Sequence, residues 1–424
     1  MAGLVLDPID ERRLAGEEGE APRLAMRVLV AMARATDAER FIDVEAAHVD
    51  ACLYHGQVSL DFTERLASAG ARVAVPTTLN VGVVDLLHPD RFRGDPAIGA
   101  AGRRLMERYV GMGCRPTFTC APYQLPDRPR RGQHVAWAES NAIVFANSVL
   151  GARTARYGDF IDICAAITGR VPDAGLHRDE YRRGQVLFRL GPLPDRLESS
   201  DVLYPVLGHL IGSEAGSLVP VIEGLSAEPT EDHLKALGAG AASSGSVGLF
   251  HAVGMTPEAP TLQAAFGGAP PLRTVEVTLD RLVAARDELS TAAGPGIDAV
   301  SVGTPHASIA ELEQLAALVD SASVHAGMAL FVSTDRATLA EAEARGWVEA
   351  LERAGATFVV DTCTYVTPIL DARARVVMTN SAKWAYYAPG NLGVAVVFGS
   401  LEECVRSATL GRVWRDPDLW GDGG

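Results

Sequence analysis

From Gly296 onward, five short apolar runs rich in β-branched residues alternate with stretches of helical period. The runs are Ala299–Val302, Ala329–Val332, Thr357–Val360, Val376–Met378 and Gly393–Phe398. Strands separated by helices re-enter a sheet in the same direction, so this pattern commits the chain to an α/β fold of parallel sheets covered by helices. Two helix starts carry a capping box, Ser308 with Glu311 and Ser400 with Glu403, in which hydroxyl and carboxylate satisfy backbone N–H groups that have no partner within the helix. Another helix is expected from Leu339 to Leu351. Ligands of open parallel sheets bind beyond the carboxyl ends of the strands. Three polar segments follow strands directly, Gly303–His306, Asp361–Cys363 and Asn380–Lys383, and are expected to converge there.

The earlier chain is less regular. Arg23 to Ala35 reads as an amphipathic helix, Gly70–Pro76 as a strand stopped by its proline, and Thr77–Asn80 as the turn after it. The polar stretch 182–205, with Pro192 and Pro194, reads as a surface connection. The Pro/Gly-rich stretch 259–271 reads as a linker. The expected organisation is a helical segment over 1–48, a first α/β portion over 49–258, the linker, and a second α/β portion over 272–424. With 424 residues, 48% of them hydrophobic, the chain buries a large core. A net charge of −15 without a basic run argues against nucleic acid or an anionic membrane as partner. The acidic first twenty residues do not read as a signal peptide, and no run of about 18 apolar residues occurs. The expected location is cytoplasmic. Six cysteines are too few for a disulfide scaffold in a chain of this length, which leaves them reduced, buried, metal-bound or reactive.

Cys120 lies between Thr119 and Ala121-Pro122 in a Gly/Pro-rich stretch shared with Cys114, a context unlike helical core. Cys363 follows a strand. Cys52, Cys164 and Cys404 lie in apolar helical contexts and read as small buried hydrophobes. Gly238–Gly245 lacks the dinucleotide-binding spacing and reads as small residues permitting a close helix crossing. Glu139-Ser140-Asn141 places a carboxylate, a hydroxyl and an amide in an apolar neighbourhood, as a structural polar network or as substrate contacts. Lys383 precedes Trp384, Tyr386 and Tyr387, and suits either a solvated face with cation–π contacts or a site for a substrate anion. His55 and His306 sit at expected turns.

Seven stretches in order, Tyr54–Gly56, Val75–Asn80, Pro116–Tyr123, Ala136–Asn141, Asn147–Arg153, Asp361–Cys363 and Thr379–Lys383, resemble the catalytic large subunit of the aconitase X family of hydro-lyases. The resemblance runs from about Asp50 to Trp414. It implies an aconitase-like catalytic unit lacking the swivelling small domain, and a dehydratase of hydroxylated carboxylates that uses an iron–sulfur cluster or a mononuclear iron. Thr77-Thr-Leu-Asn80 and Ala121-Pro-Tyr123 resemble the cis-3-hydroxy-L-proline branch rather than the mevalonate 5-phosphate branch. The family's metal ligands fall on Cys120 and Cys363, while its third cysteine position falls on Thr304, a poor iron ligand. That departure leaves open a two-iron cluster, a single iron, a substitute ligand such as His306 or a residue of a partner, or a metal-free binding or regulatory subunit. The family's substrate contacts fall on Gly56, Gln57, Val58, Asn80, Glu139, Ser140 and Lys383. Of these, Lys383 is expected to pair with the substrate carboxylate, and Glu139 and Ser140 to contact the hydroxyl. The resemblance also implies a separate small subunit that carries the swivelling domain and its general-base serine.

Overall fold

A computed structural model describes residues 3–225, 229–319 and 323–421 in two compact units. One runs to Val84 and again from Asp95 to Arg183; the other comprises Asp85–Gly94 and the chain from Gly184 onward.

In the first unit the expected N-terminal helix is Glu20–Ala35. It buries Ala21, Ala25, Met26, Leu29, Val30 and Ala33, one face at helical spacing, against the helix Ile161–Thr168. A buried guanidinium fastens the segment before it. Arg170 donates to both carboxylate oxygens of the fully buried Asp10, at 3.1 and 2.9 Å, to Asp43 at 2.7 Å, and to Asp7. Removing one member of a buried ion pair strands the other charge in low dielectric, at about 3–5 kcal/mol. Arg170→Met is therefore expected to lose about that much stability in urea denaturation. Combining it with Asp10→Asn should recover part of the loss.

The sheet of this unit consists of three short parallel strands, Thr77–Leu79, Ala47–Val49 and Ala136–Trp137, with Ala47–Val49 in the centre. The strand expected at Gly70–Pro76 is displaced to the residues read as its turn. Val73 and Ala74 donate to Met112 O and Ala166 O, at 3.0 and 2.8 Å, rather than to a strand. Pairing with Ala47–Val49 begins only after Pro76, which has no donor to give.

The second unit holds two parallel sheets. The later one has the strand order Ala356–Val359, Ala329–Thr334, Ala299–Ala307, Val376–Thr379, Ala395–Phe398, parallel throughout. Its connections reverse direction between Ala299–Ala307 and Val376–Thr379, which makes that the topological switch point where such sheets bind ligands. Both capping boxes and the five expected strands are present, the last starting at Ala395. The other sheet has the order His251–Ala252, Pro220–Glu223, Val186–Leu190, Arg273–Val277, again parallel.

This second sheet corrects two expectations. The stretch 182–205 contains a core strand, with Val186, Leu187 and Phe188 buried. The presumed linker 259–271 lies inside one unit: Ala259, Ala265 and Phe266 pack with Leu187 and Val221, and Gly184 N donates to Ala265 O at 2.7 Å. Proline and glycine there interrupt regular structure without interrupting packing. The small residues of Gly238–Gly245 serve a close crossing between the helices Leu203–Ala215 and Glu231–Ser244. A Cβ at Gly240 would lie 2.8 Å from Pro205 O, and one at Gly208 would lie 2.2 Å from Leu237 O. Among the described residues no helix is long and apolar enough to cross a membrane.

Candidate active site

Because the three strands of the first unit are parallel, their carboxyl ends lie side by side. The residues next in chain are Asp50 on the central strand, Asn80 on one neighbour, and Ala138-Glu139 on the other. Asn80 donates through Nδ2 to Asp50 Oδ1. Its own Oδ1 is buried without a hydrogen-bond partner among the described residues. Glu139 caps the helix Ser140–Ser148, accepting from Ala142 N at 2.8 Å, from Asn141 Nδ2, and from Ser140 Oγ at 3.3 Å. Asn141 in turn donates to Cys120 O at 3.0 Å and accepts from the Tyr123 hydroxyl at 2.5 Å. Buried Glu139 is thus held by at least three donors, and the loop carrying buried Cys120 is tied to the same helix start.

Burial, with the charges of Glu139, Asp159 and Asp162 nearby, pushes Asp50 up to about 8. Burial raises Asp162 to about 7, although its carboxylate accepts from the N–H groups of Asp50 and Ala51 at 2.7 and 3.1 Å. This end of the sheet therefore gathers several carboxylates out of solvent. Gly56, Gln57 and Val58 lie at the start of the helix Gln57–Ser68, where Gln57 bonds to Asp61 at 2.8 Å and Val58 is exposed. A cavity of about 340 Å³ lined by Glu45, Pro76, Arg115, Asp127 and Gln133 lies towards the amino ends of the strands. It contains none of the residues expected to act.

In the second unit, the switch point is flanked by Gly303–His306 and by Asn380–Lys383. Gly303 has a φ of +84°, and a Cβ there would sit 2.2 Å from Ser333 O, so the strand bulges at a position open to glycine alone and its pairing resumes at Ala307. Gly303–His306, expected to follow the strand with His306 at a turn, therefore lie inside it. His306 is fully buried, and a ring nitrogen of it lies within 4.8 Å of Cys363 Sγ. Its Nε2 is 3.0 Å from Thr362 O. A carbonyl only accepts, so Nε2 bears a proton. Two residues before Cys363, Asp361 adopts a left-handed φ of 62°. Arg336 holds it there through both carboxylate oxygens, at 2.6 Å each, and Leu86 N adds a 3.1 Å bond. One residue after Cys363, Thr364 accepts from Trp384 Nε1 at 2.9 Å. The fully buried Trp384 therefore fixes its neighbour Lys383 relative to the cysteine loop.

Lys383 is 3% exposed, which excludes the solvated-face reading. Its Nζ is 6.0 Å from the centroid of the Tyr365 ring, at the outer limit of a cation–π contact. It lines a small cavity of about 30 Å³ with Lys235, Thr304, Asn380 and Ser381. Thr304 Oγ1 and Asn380 Oδ1 are buried without hydrogen-bond partners among the described residues. Lys235 pairs with Asp232 at 2.8 Å and with Glu311, whose carboxyl burial pushes up to about 7. A buried thiol and an imidazole within ligand distance of each other, with buried Lys383 at the same end of the sheet, have the donor chemistry that can hold a soft metal beside an anion.

The family models for the first, second and third domains of aconitase X match residues 3–180, 184–287 and 297–410. The chain belongs to the aconitase X family. It is 48% identical over 415 residues to a cis-3-hydroxy-L-proline dehydratase of Pseudomonas aeruginosa, a match spanning 97% of this chain and 71% of that one. A dehydratase of the same name from Hypocrea jecorina is 43% identical, over 94% of this chain and 67% of its own. A phosphomevalonate dehydratase large subunit of Methanothermobacter thermautotrophicus is 36% identical, over 95% of this chain and 98% of its own. The crystal structure of Thermococcus kodakaraensis aconitase X in its holo-form superposes with a TM-score of 0.86 at 34% identity, covering 96% of this chain and all of that one.

The second and third aconitase X domains correspond to the two parallel sheets of the second unit. Within the first unit, Asn80, Glu139 and Ser140 gather at one sheet end. Within the second, Thr304, Lys383 and Cys363 gather around the switch point. Asp50 and Tyr123 were not anticipated as site residues, whereas Asn141 was expected in a polar network or as a substrate contact. The strand ahead of Asp50 is only Ala47-His-Val49, too short to show a period.

Proposed function

We propose that this aconitase X chain is the large subunit of a hydro-lyase that converts cis-3-hydroxy-L-proline to pyrroline-2-carboxylate. The observation that carries the substrate is the 48% identity, across 97% of the chain, to a dehydratase of that name. In this reading Cys120 and Cys363 hold an iron–sulfur cluster or a mononuclear iron, with Thr304 at the third family position. His306, within 4.8 Å of Cys363 Sγ, supplies a donor of the kind threonine lacks. When bound, the iron supplies a Lewis acid for a poor leaving group. The protein does the rest. Lys383 pairs with the substrate carboxylate. Ser140 and Glu139 contact the hydroxyl, with Glu139 held in place by Asn141 and the helix start. Gly56, Gln57, Val58 and Asn80 complete the substrate contacts.

A small subunit with a swivelling domain would supply the general-base serine. Large-subunit relatives covered over 98% of their length support this part of the reading. The decisive assay uses the chain co-expressed with such a subunit under anaerobic conditions. Bound iron and pyrroline-2-carboxylate formed from cis-3-hydroxy-L-proline are expected. Turnover of mevalonate 5-phosphate instead would move the chain to the other branch. An iron-free preparation with full turnover would remove the metal from the scheme.

A further inference from the structure

We propose that the carboxyl ends of the three-stranded sheet bind the secondary ammonium group of an amino-acid substrate. Asn80 Oδ1 accepts from the nitrogen, and the Asp50 carboxylate provides the counter-charge. This rests on the hydroxyproline reading above and assigns a part of that substrate for which no group has yet been named.

Two independent observations carry it. The first is an orphaned acceptor. Asn80 is 3% exposed, its Nδ2 is committed to Asp50, and its Oδ1 has no partner among the described residues. A buried carbonyl oxygen without a donor costs about 1–3 kcal/mol, and a ligand N–H removes that cost. The second is charge. Around Asp50 stand Glu139, Asp159, Asp162 and the Cys52 thiol, with the amide of Asn80 in contact; the bases nearby are His55, 3.5 Å from Asp159, and His48, which burial pushes down to about 4. Asp50 is pushed up to about 8, first by burial and then by the negative charge of Glu139, Asp159 and Asp162. Such a setting favours a cation and penalises an anion. A hydroxy acid without an amine has nothing to place against it, whereas the ring nitrogen of a proline derivative does. A cation bound beside Asp50 stabilises its ionised form, so binding at pH 7 releases a proton. Affinity accordingly strengthens as the pH rises from 6 to 8.

The test compares L-proline with cyclopentanecarboxylate as inhibitors of the two-subunit holoenzyme. The two share ring size and carboxylate and differ at the nitrogen. Proline is expected to bind at least about tenfold tighter, the low end for a hydrogen bond to a charged group. Calorimetry in two buffers at pH 7 should show proton release for proline and none for the carbocycle. Asn80→Leu and Asp50→Asn should each bring the preference to within about twofold. Equal inhibition by the two compounds in the wild-type enzyme overturns the proposal, and that outcome does not depend on any variant folding. A preference that survives both substitutions in folded protein also overturns it. Turnover of cis-3-hydroxy-L-proline with equal inhibition defeats the ammonium site alone. Proline preferred by an enzyme that fails to dehydrate hydroxyproline defeats the substrate reading and leaves the ammonium site standing.

Discussion

Cys363→Ser is expected to reduce bound iron to less than about a tenth of the wild-type content and to lower kcat/KM by more than about 100-fold, the upper end for a residue that merely supports a metal ligand. The control is Cys404→Ser, which should keep both. The contrast follows from where the thiols sit. Cys404 is in the core of the helix Leu401–Leu410, where burial, with Glu403 and Asp201 nearby, pushes its thiol up. Burial also pushes up Cys52, Cys164 and Cys114, the last to about 12. Cys52 Sγ, moreover, is directed at Asn80 O, 3.0 Å away. Cys363 stands instead at a strand end, with the strained Asp361 before it, Trp384-anchored Thr364 after it, and His306 beside it. Atomic absorption on anaerobically purified protein checks the iron. Full iron retention in Cys363→Ser together with loss in Cys404→Ser would invert the assignment. His306→Ala separates the open options: if His306 stands in for the ligand that Thr304 cannot provide, iron falls there too.

Much of the second unit was legible because its signals are local. Each strand of the later sheet is a run such as Ala299-Val-Ser-Val302 bounded by polar residues. Its helices announce themselves with Ser308/Glu311 and Ser400/Glu403, whose bonds are satisfied within four residues. From parallel strands alone it follows that His306, Cys363 and Lys383 share one sheet end. The first unit resists such reading. Its central sheet is built of strands two or three residues long, held by pairing partners some 30 to 90 residues away, and a segment of that length shows no period. Val186–Leu190 was hidden by the prolines at 192 and 194, which mark the end of the strand rather than a surface loop. The site in the first unit is harder still. Nothing local in Val49-Asp50-Ala51 says that the aspartate lies between Asn80 and Glu139, because that adjacency exists only once the strands pair.

Lys383→Met is expected to lower kcat/KM by about 10²–10³-fold, through loss of a buried charge pair worth about 3–5 kcal/mol when one partner is deleted. Methionine preserves the length of the stem and most of its packing beside Tyr365 while removing the charge. The helix that carries the residue is held independently, by the Ser381 cap on Trp384 N at 3.1 Å and by the Trp384–Thr364 bond, so the fold should survive. Lys383→Arg should recover little. The adjoining cavity is about 30 Å³, already bordered by Lys235 and Ser381, and a guanidinium is both larger and planar. Loss of activity alone would not separate recognition of the carboxylate from a structural role, so the informative measurement is selectivity. The wild-type enzyme should bind L-proline far better than L-prolinamide, which keeps the amine and replaces the carboxylate with a neutral amide. In Lys383→Met the two should bind within about twofold of each other. A variant that loses activity yet keeps the wild-type preference for the carboxylate would show that another group makes that contact, with Lys235 across the same cavity the next residue to substitute.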